Sequence, residues 1–240
     1  MPAAAEQAMS SRLKLKQFIY AHPVLLAMLR AIRRVQIKLL QWEDRFFEFR
    51  MGIATYGEPS LDGLTIRGGN ASEATTYGDM RRDNLRAAVD SLKVDYSRYT
   101  FVDYGAGKGR AILLAASWYP FQKVIGIEFA KEMHQACLEN MKRWRGRRRC
   151  SSIECHWLDA LEFELPNLPC VLFFNDPFGA AMLNRVLGKT QSSLNACPRD
   201  LLVIMYNNET RYELIEALFD VEVLASSARH QFTAYRMRSR

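Results

Sequence analysis

The sequence has few histidines and no closely paired cysteines. Its 240 residues include four histidines and five cysteines (Cys137, Cys150, Cys155, Cys170 and Cys197), and no two cysteines form a C-x-x-C pair. Zinc sites are built from closely spaced cysteine and histidine ligands, so we expect no metal centre. An odd number of scattered cysteines is typical of reduced thiols, which predicts a cytoplasmic protein.

Acidic residues and long apolar runs are both scarce at the start of the chain. Residues 1–42 hold seven Lys and Arg side chains and one acid, Glu6, whereas the whole chain has a net charge of +7. The basic character therefore belongs mainly to the N-terminal segment. The apolar run there is broken at Arg30, well short of the ~20 residues that span a membrane. It also lacks a small-residue cleavage site after a signal-type core, so we expect no secretion.

The segment from Pro23 to Trp42 has the pattern of an amphipathic helix. Its apolar side chains recur at helical spacing on one side: Leu25, Met28, Leu29, Ile32, Val35 and Leu39. Its basic side chains lie on the other side: Arg30, Arg33, Arg34 and Lys38. Three interpretations stay open, namely a helix packed on the main domain, a helix that contacts a membrane surface or a partner, and a targeting sequence. We assign residues 1–50 to this basic helical extension.

Residues 51–95 connect the extension to the main domain, and within them residues 51–79 are rich in Gly, Ser, Thr and Asn and show little periodicity. Stretches such as Gly57-Glu58-Pro59-Ser60 and Gly68-Gly69-Asn70 predict a long connection, followed by a helix from about Asp79 to Leu92. Long connections in compact domains are often lids or binding loops. We therefore expect a connecting loop or lid and a helix before a main domain at residues 96–240.

From Thr100 onward, short apolar runs alternate with helical patterns. Strands are predicted at 100–104, 123–128, 152–157, 170–175 and 201–206, with helices at 108–118, 130–145, 180–195 and 209–219. This alternation predicts βαβ units and a parallel sheet with helices on both faces. Two last strands, at 221–225 and 232–237, are joined too closely for a parallel crossover and are expected to be antiparallel. The fold class is α/β, a Rossmann-like sheet of five parallel strands and a C-terminal antiparallel pair.

A glycine-rich turn, Asp103-Tyr104-Gly105-Ala106-Gly107-Lys108-Gly109, joins the first predicted strand to an apolar helix. Glycines let a backbone turn sharply and approach a ligand closely. Dinucleotide-binding loops have the spacing G-x-G-x-x-G and hold a pyrophosphate at the helix N-terminus. Here the third glycine comes one residue early, and Asp103 would repel a phosphate but attract a cationic sulfonium ligand with an α-amino group. The loop therefore disfavours a nicotinamide-dependent oxidoreductase.

This D-x-G-x-G-x-G loop resembles motif I of the class I S-adenosylmethionine-dependent methyltransferases, and the resemblance covers roughly residues 95–240. Five parallel strands followed by an antiparallel pair is also the architecture of that family. The resemblance implies that S-adenosylmethionine is the cofactor. It implies that the loop contacts the cofactor through five residues: Asp103, Gly105, Ala106, Gly107 and Gly109.

Two further acids follow predicted strands. Glu128 ends the second strand, where a carboxylate can accept both hydroxyls of a ribose. Asp159 comes after the third strand and is followed by Ala160. The resemblance implies that Glu128 binds the ribose, that Asp159 binds the adenine amino group and that the backbone of Ala160 contacts the ring. For both acids the alternative is a helix cap, since Asp and Glu are favoured at helix N-termini.

The fourth strand leads into Asn175-Asp176-Pro177-Phe178-Gly179. This segment resembles the (D/N)-P-P-(Y/F) motif of amine-directed methyltransferases. It also resembles the Asn-Pro-Phe-Gly segment of small uncharacterised bacterial members, in which Asn is usual at the position of Asp176. The resemblance implies that Asn175, Asp176, Pro177 and Phe178 form the acceptor site. The alternative is that Pro177 and Gly179 merely end a strand.

The sequence therefore predicts a methyltransferase that acts on a nitrogen of a protein side chain or a small amine. Positioning suffices for methyl transfer, which agrees with the lack of an acid–base constellation around His134 or His156. RNA is the alternative acceptor, because residues 142–149 place six basic residues and Trp144 in eight positions. A solvated helix end would produce the same pattern. A non-catalytic Rossmann-like binding module also stays open.

Overall fold

The computed structural model describes residues 22–57, 64–68, 80–206 and 212–239. The chain forms two compact units, residues 1–47 and residues 48–240. Helix α1 (Pro23–Met51) begins in the first unit and ends in the second. It is nine residues longer than the predicted helix that ended at Trp42. The helix stops where Gly52 takes a positive φ of 71°, a conformation that ends many helices.

Seven strands form one mixed sheet in the order β3-β2-β1-β4-β5-β7-β6. Their bounds are β1 Thr100–Tyr104, β2 Lys123–Glu128, β3 Ser152–Trp157, β4 Cys170–Phe174, β5 Leu201–Tyr206, β6 Asp220–Ser227 and β7 Phe232–Arg238. The first five strands are parallel, and β7 pairs antiparallel with both β5 and β6. The predicted Rossmann-like methyltransferase sheet is confirmed.

Helices connect the parallel strands. Their bounds are α2 Arg82–Asp90, α3 Arg110–Trp118, α4 Lys131–Arg143, α5 Ala180–Ala196 and α6 Tyr212–Leu218, with a short 3-10 turn at Tyr96–Arg98. The helix predicted from 209 agrees with α6 from Tyr212 onward, and its first residues lie outside the described part. The start of the helix predicted at Asp79 also lies outside it. None of the described helices combines the length and apolar character that crossing a membrane requires.

The strand order reverses between β1 and β4, which are neighbours in the sheet. Because βα crossovers are right-handed, the helices after β1 and β2 lie on one face and the helix after β4 lies on the other. Val102, Tyr104 and Ile127 belong to a buried cluster with Leu183 and Val186 of α5. In such sheets a ligand binds beyond the carboxyl ends of the strands, where the order reverses.

Candidate active site

The glycine loop between β1 and α3 folds tightly against the end of β2. The amides of Gly105 and Ala106 both donate to the carbonyl oxygen of Ile127, at 2.9 Å each. Gly105, Gly107 and Gly109 have φ angles of 79°, 55° and 87°, a region that side chains with a Cβ rarely occupy. The three glycines are therefore required by the conformation of the loop.

Gly105 also lies against the residue that was predicted to belong to the acceptor segment. A Cβ at Gly105 would stand 2.6 Å from the Cβ of Pro177, closer than two such carbons can approach. Pro177 follows β4, and β4 is the direct neighbour of β1. The glycine loop and the segment after β4 therefore touch through backbone and proline ring.

Glu128 is buried, with 4% of its surface exposed, and both of its carboxylate oxygens are engaged. Oε2 accepts from the amide of Gly107 at 2.7 Å, and Oε1 accepts from the amide of Ala130 at 2.9 Å. Burial raises the pKa of this carboxyl, and the backbone donors partly offset that rise. Glu128 thus joins the centre of the glycine loop to the start of α4.

Asp103 is also buried, with 2% of its surface exposed. Burial, and then the charge of Glu128, raise the pKa of Asp103 from its ordinary 3.8 to about 8. Two carboxyl groups therefore share one low-dielectric region behind the glycine loop. A positively charged or hydroxyl-bearing ligand would stabilise their ionised forms there.

Asp159 and Ala160 are buried in the turn after β3. Asp159 Oδ1 accepts from the amide of Leu161 at 2.9 Å, so this carboxylate caps a turn. The alternative interpretation expected a helix cap, but residues 158–169 form no helix. Oδ2 faces Gly68, since a Cβ there would lie only 2.3 Å from it. Asp159 therefore lies between the turn after β3 and Gly68 of the connecting region.

In the segment after β4, Asn175, Asp176 and Pro177 are half-buried. Asp176 has a φ of 52°, an unusual conformation for a residue other than glycine, and such strain is concentrated at functional sites. Phe178 is 7% exposed and packs edge-on against Tyr104 and Phe174, with ring centroids 6.4 Å apart in both pairs. The aromatic ring of this segment is thus part of the core.

The sequence interpretation missed a buried ion pair beside the glycine loop. Arg110, the first residue of α3, donates to Glu48 at 2.8 Å, and the two side chains are 3% and 8% exposed. The same guanidinium donates to the Thr55 hydroxyl at 3.1 Å and to the carbonyl of Met80 at 2.6 Å. Arg110 therefore holds the end of α1, Thr55 and Met80 next to the glycine loop.

Two more side chains, those of Asn140 and Lys108, connect residues 54–57 to the glycine loop by hydrogen bonds. Asn140 of α4, which is buried, accepts from the amide of Ala54 at 2.8 Å and donates to the carbonyl of Lys108 at 2.9 Å. The Lys108 ammonium donates to the carbonyl of Gly57 at 2.9 Å. This part of the predicted connecting region is therefore built into the cofactor side of the domain.

A second stretch of the connecting region covers the ends of β2 and β3. Ile66 forms an antiparallel bridge with Ala130, and the amide of Arg67 donates to the carbonyl of Phe129 at 2.9 Å. The Arg67 guanidinium stacks over Trp157 at 5.6 Å and pairs with Glu162 at 2.7 Å. Residues 64–68 thus border both Glu128 and Asp159.

The arrangement fits S-adenosylmethionine. The glycine loop brings backbone within reach of a ligand, and the buried carboxyl groups of Asp103 and Glu128 suit a cationic, ribose-bearing molecule.

The contacts of two histidines and two cysteines named in the sequence analysis indicate structural roles and not catalytic ones. The Nε2 atom of His134 lies 3.1 Å from the carbonyl of Cys155, and that of His156 lies 3.1 Å from Glu154. Burial raises the pKa of the Cys170 thiol to about 12. A hydrogen bond with Cys137, and then burial, raise the pKa of the Cys155 thiol, so neither cysteine is a ready nucleophile. Among the described residues, no three His, Cys, Asp or Glu side chains are grouped as a metal site.

Comparisons with known proteins agree with this architecture. A family model described as Histone methylation protein DOT1 matches residues 65–154. No curated protein sequence matches the chain.

Solved structures with a similar fold include the following three proteins. A mutant of MtNAS bound to S-adenosylmethionine is 12% identical, with 65% of this chain and 61% of that one covered and a TM-score of 0.50. Human N-acetylserotonin methyltransferase with SAM is 14% identical (65% and 51% covered, TM-score 0.46). An RNA methyltransferase from Salinibacter ruber with S-adenosyl-L-homocysteine is 17% identical (66% and 92% covered, TM-score 0.44). The chain therefore spans about half to three-fifths of the length of the first two proteins.

The chain has a sheet of the Rossmann-like methyltransferase type, and residues 65–154, which include the glycine loop, match a family model described by histone methylation. These findings agree with the predicted enzyme class and cofactor. The individual contacts assigned to the cofactor and the acceptor remain predictions.

Proposed function

We propose that the chain transfers the methyl group of S-adenosylmethionine to an amine nitrogen of a protein side chain. The contact between Gly105 and Pro177 is the observation that carries this proposal. It joins the glycine loop, which we assign to the cofactor, to Asn175–Phe178, which we assign to the acceptor. A methyl donor and an amine held on these two segments would lie beside each other.

The residues after β4 have the chemistry that an amine needs. The Asp176 side chain is an anion that attracts an ammonium group such as that of lysine. The Asp176 carbonyl precedes Pro177, whose ring fixes φ and stiffens the turn, so this carbonyl is our candidate acceptor for a substrate N–H. Phe178, being buried, would support the turn from below and not shield the substrate directly.

S-adenosylmethionine supplies an activated methyl group, so the chain needs to contribute binding and alignment. We assign Glu128 to the ribose, Asp159 and Ala160 to the adenine, and Asp103 with the glycine loop to the amino-acid part. The positions of these residues at the ends of β1, β2 and β3 support that assignment, because those ends form one crevice.

A protein acceptor is favoured over RNA by two observations. The matching family model is described by histone methylation, which is a modification of protein. The basic residues Arg147 and Arg148 are exposed, but their loop lies before β3, where Ser151 donates to the carbonyl of Phe121 just before β2. That is the amino edge of the parallel sheet, whereas the acceptor segment follows β4 at the carboxyl edge.

The test is methyl transfer from radiolabelled S-adenosylmethionine into a lysate that has been divided into protein, RNA and small-molecule fractions. We expect label in protease-sensitive material that yields methylated lysine on hydrolysis. Label that is removed by ribonuclease would contradict the protein acceptor and would leave the enzyme class intact. Tight binding of the cofactor without transfer to any fraction would favour a non-catalytic binding module.

A further inference from the structure

Helix α1 carries an exposed apolar stripe along its length. Its members recur at alternating steps of four and three residues: Met28, Ile32, Val35, Leu39, Trp42, Phe46 and Phe49. Each of these side chains is between 44% and 78% exposed. Side chains at this spacing lie on one side of a helix, so the stripe is continuous. Contiguous apolar surface of this kind marks an interaction site.

A row of cations borders the stripe. Arg30, Arg34, Lys38 and Arg45 follow one another at helical spacing, and all four side chains are exposed. Arg33 and Arg50 of the same helix are exposed as well.

The acids of the helix contribute little opposing charge at the surface. Asp44 and Glu48 are buried, with 7% and 6% of their surface exposed, and Glu48 is paired with Arg110. Glu43 is exposed. Among the described side chains of α1, the exposed charged ones are therefore positive with one exception, Glu43.

We propose that α1 binds the surface of an anionic phospholipid bilayer, with the stripe inserted among the acyl chains near the headgroups. The proposal is independent of the methyl acceptor. A helix with Trp, Phe and Leu on one side and Lys and Arg beside it lies in the plane of a membrane interface. Negatively charged headgroups attract the cations, and Trp42 provides an indole ring of the kind that is enriched at headgroup level.

A second copy of the chain fits the stripe less well. Two α1 helices paired along their stripes would bring the bordering cations of each copy, such as Lys38 and Arg45, close to the shared seam. One exposed acid per helix, Glu43, cannot balance the row of cations, and like charges beside a seam weaken pairing. An anionic surface neutralises the same row.

The experiment measures binding of the full chain to vesicles by sedimentation. We expect binding to vesicles that contain phosphatidylglycerol, at least about tenfold weaker binding to pure phosphatidylcholine, and loss of binding as salt is raised. The double variant Leu39→Gln with Trp42→Gln removes part of the stripe without a change of charge. The double variant Arg34→Glu with Lys38→Glu reverses part of the row. Each is expected to weaken binding at least about tenfold.

The control variant is Gln36→Asn with Gln41→Asn. Both residues are exposed and neutral, and both lie on the same helix outside the stripe. This variant should bind the vesicles as the unchanged chain does. Cofactor binding by every variant reports that the domain is folded. Equal binding by the stripe variant and the control would overturn the proposal. A dimer in solution that Leu39→Gln with Trp42→Gln converts to a monomer would also overturn it, because a second copy would then cover the stripe.

Discussion

The two halves of the crevice differ in how their residues are held. On the cofactor side, the glycine loop, Glu128 and Arg110 are linked by short hydrogen bonds to backbone and to buried partners. On the acceptor side, Asp176 stands in a strained backbone conformation at the end of β4. The family model matches residues 65–154, which include β1 and β2 and end within β3, before the acceptor segment. The family match thus covers most of the half that we assign to the cofactor and none of the segment that we assign to the acceptor.

Among changes to the cofactor half, substitution of Arg110 is expected to have the largest effect, which is on the free energy of unfolding. Arg110→Met should leave Glu48 buried without its cation and lower the free energy of unfolding by about 3–5 kcal/mol. The double variant Arg110→Met with Glu48→Met should recover most of that loss, since no buried charge remains. Urea denaturation of both variants measures the difference. Equal destabilisation by the single and double variants would show that the ion pair is not what holds this region.

Gly105 belongs to the glycine loop and lies against Pro177 of the acceptor segment. Its substitution should therefore distort both halves of the crevice. In Gly105→Val the new side chain meets Pro177 and is forced to a positive φ. We expect a roughly 100-fold loss of cofactor affinity, about 2.8 kcal/mol, in a folded domain. Gly188→Ala is the matched control, because a Cβ at Gly188 has no neighbour within 4 Å. Calorimetric titration of both proteins is the measurement, and unchanged affinity in Gly105→Val would refute the loop assignment.

Substitution of Asp176 tests the acceptor half of the crevice separately from the cofactor half. Asp176→Asn keeps the shape of the side chain but removes the charge, so turnover should fall about tenfold, about 1.4 kcal/mol, with little change in cofactor affinity. Asp159→Asn should do the reverse and weaken cofactor binding while turnover at saturation is kept. Steady-state kinetics with the identified acceptor compare the two. Full turnover by Asp176→Asn would mean that the segment only ends a strand.

A pH dependence is expected from Asp103. Its pKa is raised to about 8 in the folded chain from 3.8, so the folded state binds more protons than the unfolded state between these values. Stability should therefore fall as pH rises through this window, and affinity for a cationic ligand should increase toward pH 8 and above. Asp103→Asn should flatten both trends. Thermal unfolding and cofactor titration of the two proteins from pH 5 to pH 9 provide the test.

Apolar runs predicted the strands well, because burial of both faces leaves β1, β2, β4 and β5 as largely apolar segments. The glycine loop and Glu128 could be predicted because their chemistry is local in sequence. The Arg110–Glu48 pair could not, since its members are 62 residues apart and each looks like an ordinary surface charge. The burial of Phe178 depends on the turn at Asp176, whose positive φ no pattern of residue types announced.

Isothermal titration of the chain with S-adenosylmethionine, beside Glu128→Ala and with NADH as the competing cofactor, tests the central claim most directly. We predict micromolar binding of S-adenosylmethionine, no binding of NADH, and a loss of about 2–4 kcal/mol in Glu128→Ala, which removes two charge-assisted hydrogen bonds. Binding of NADH in place of S-adenosylmethionine, or an affinity for S-adenosylmethionine that Glu128→Ala leaves unchanged, would contradict the account.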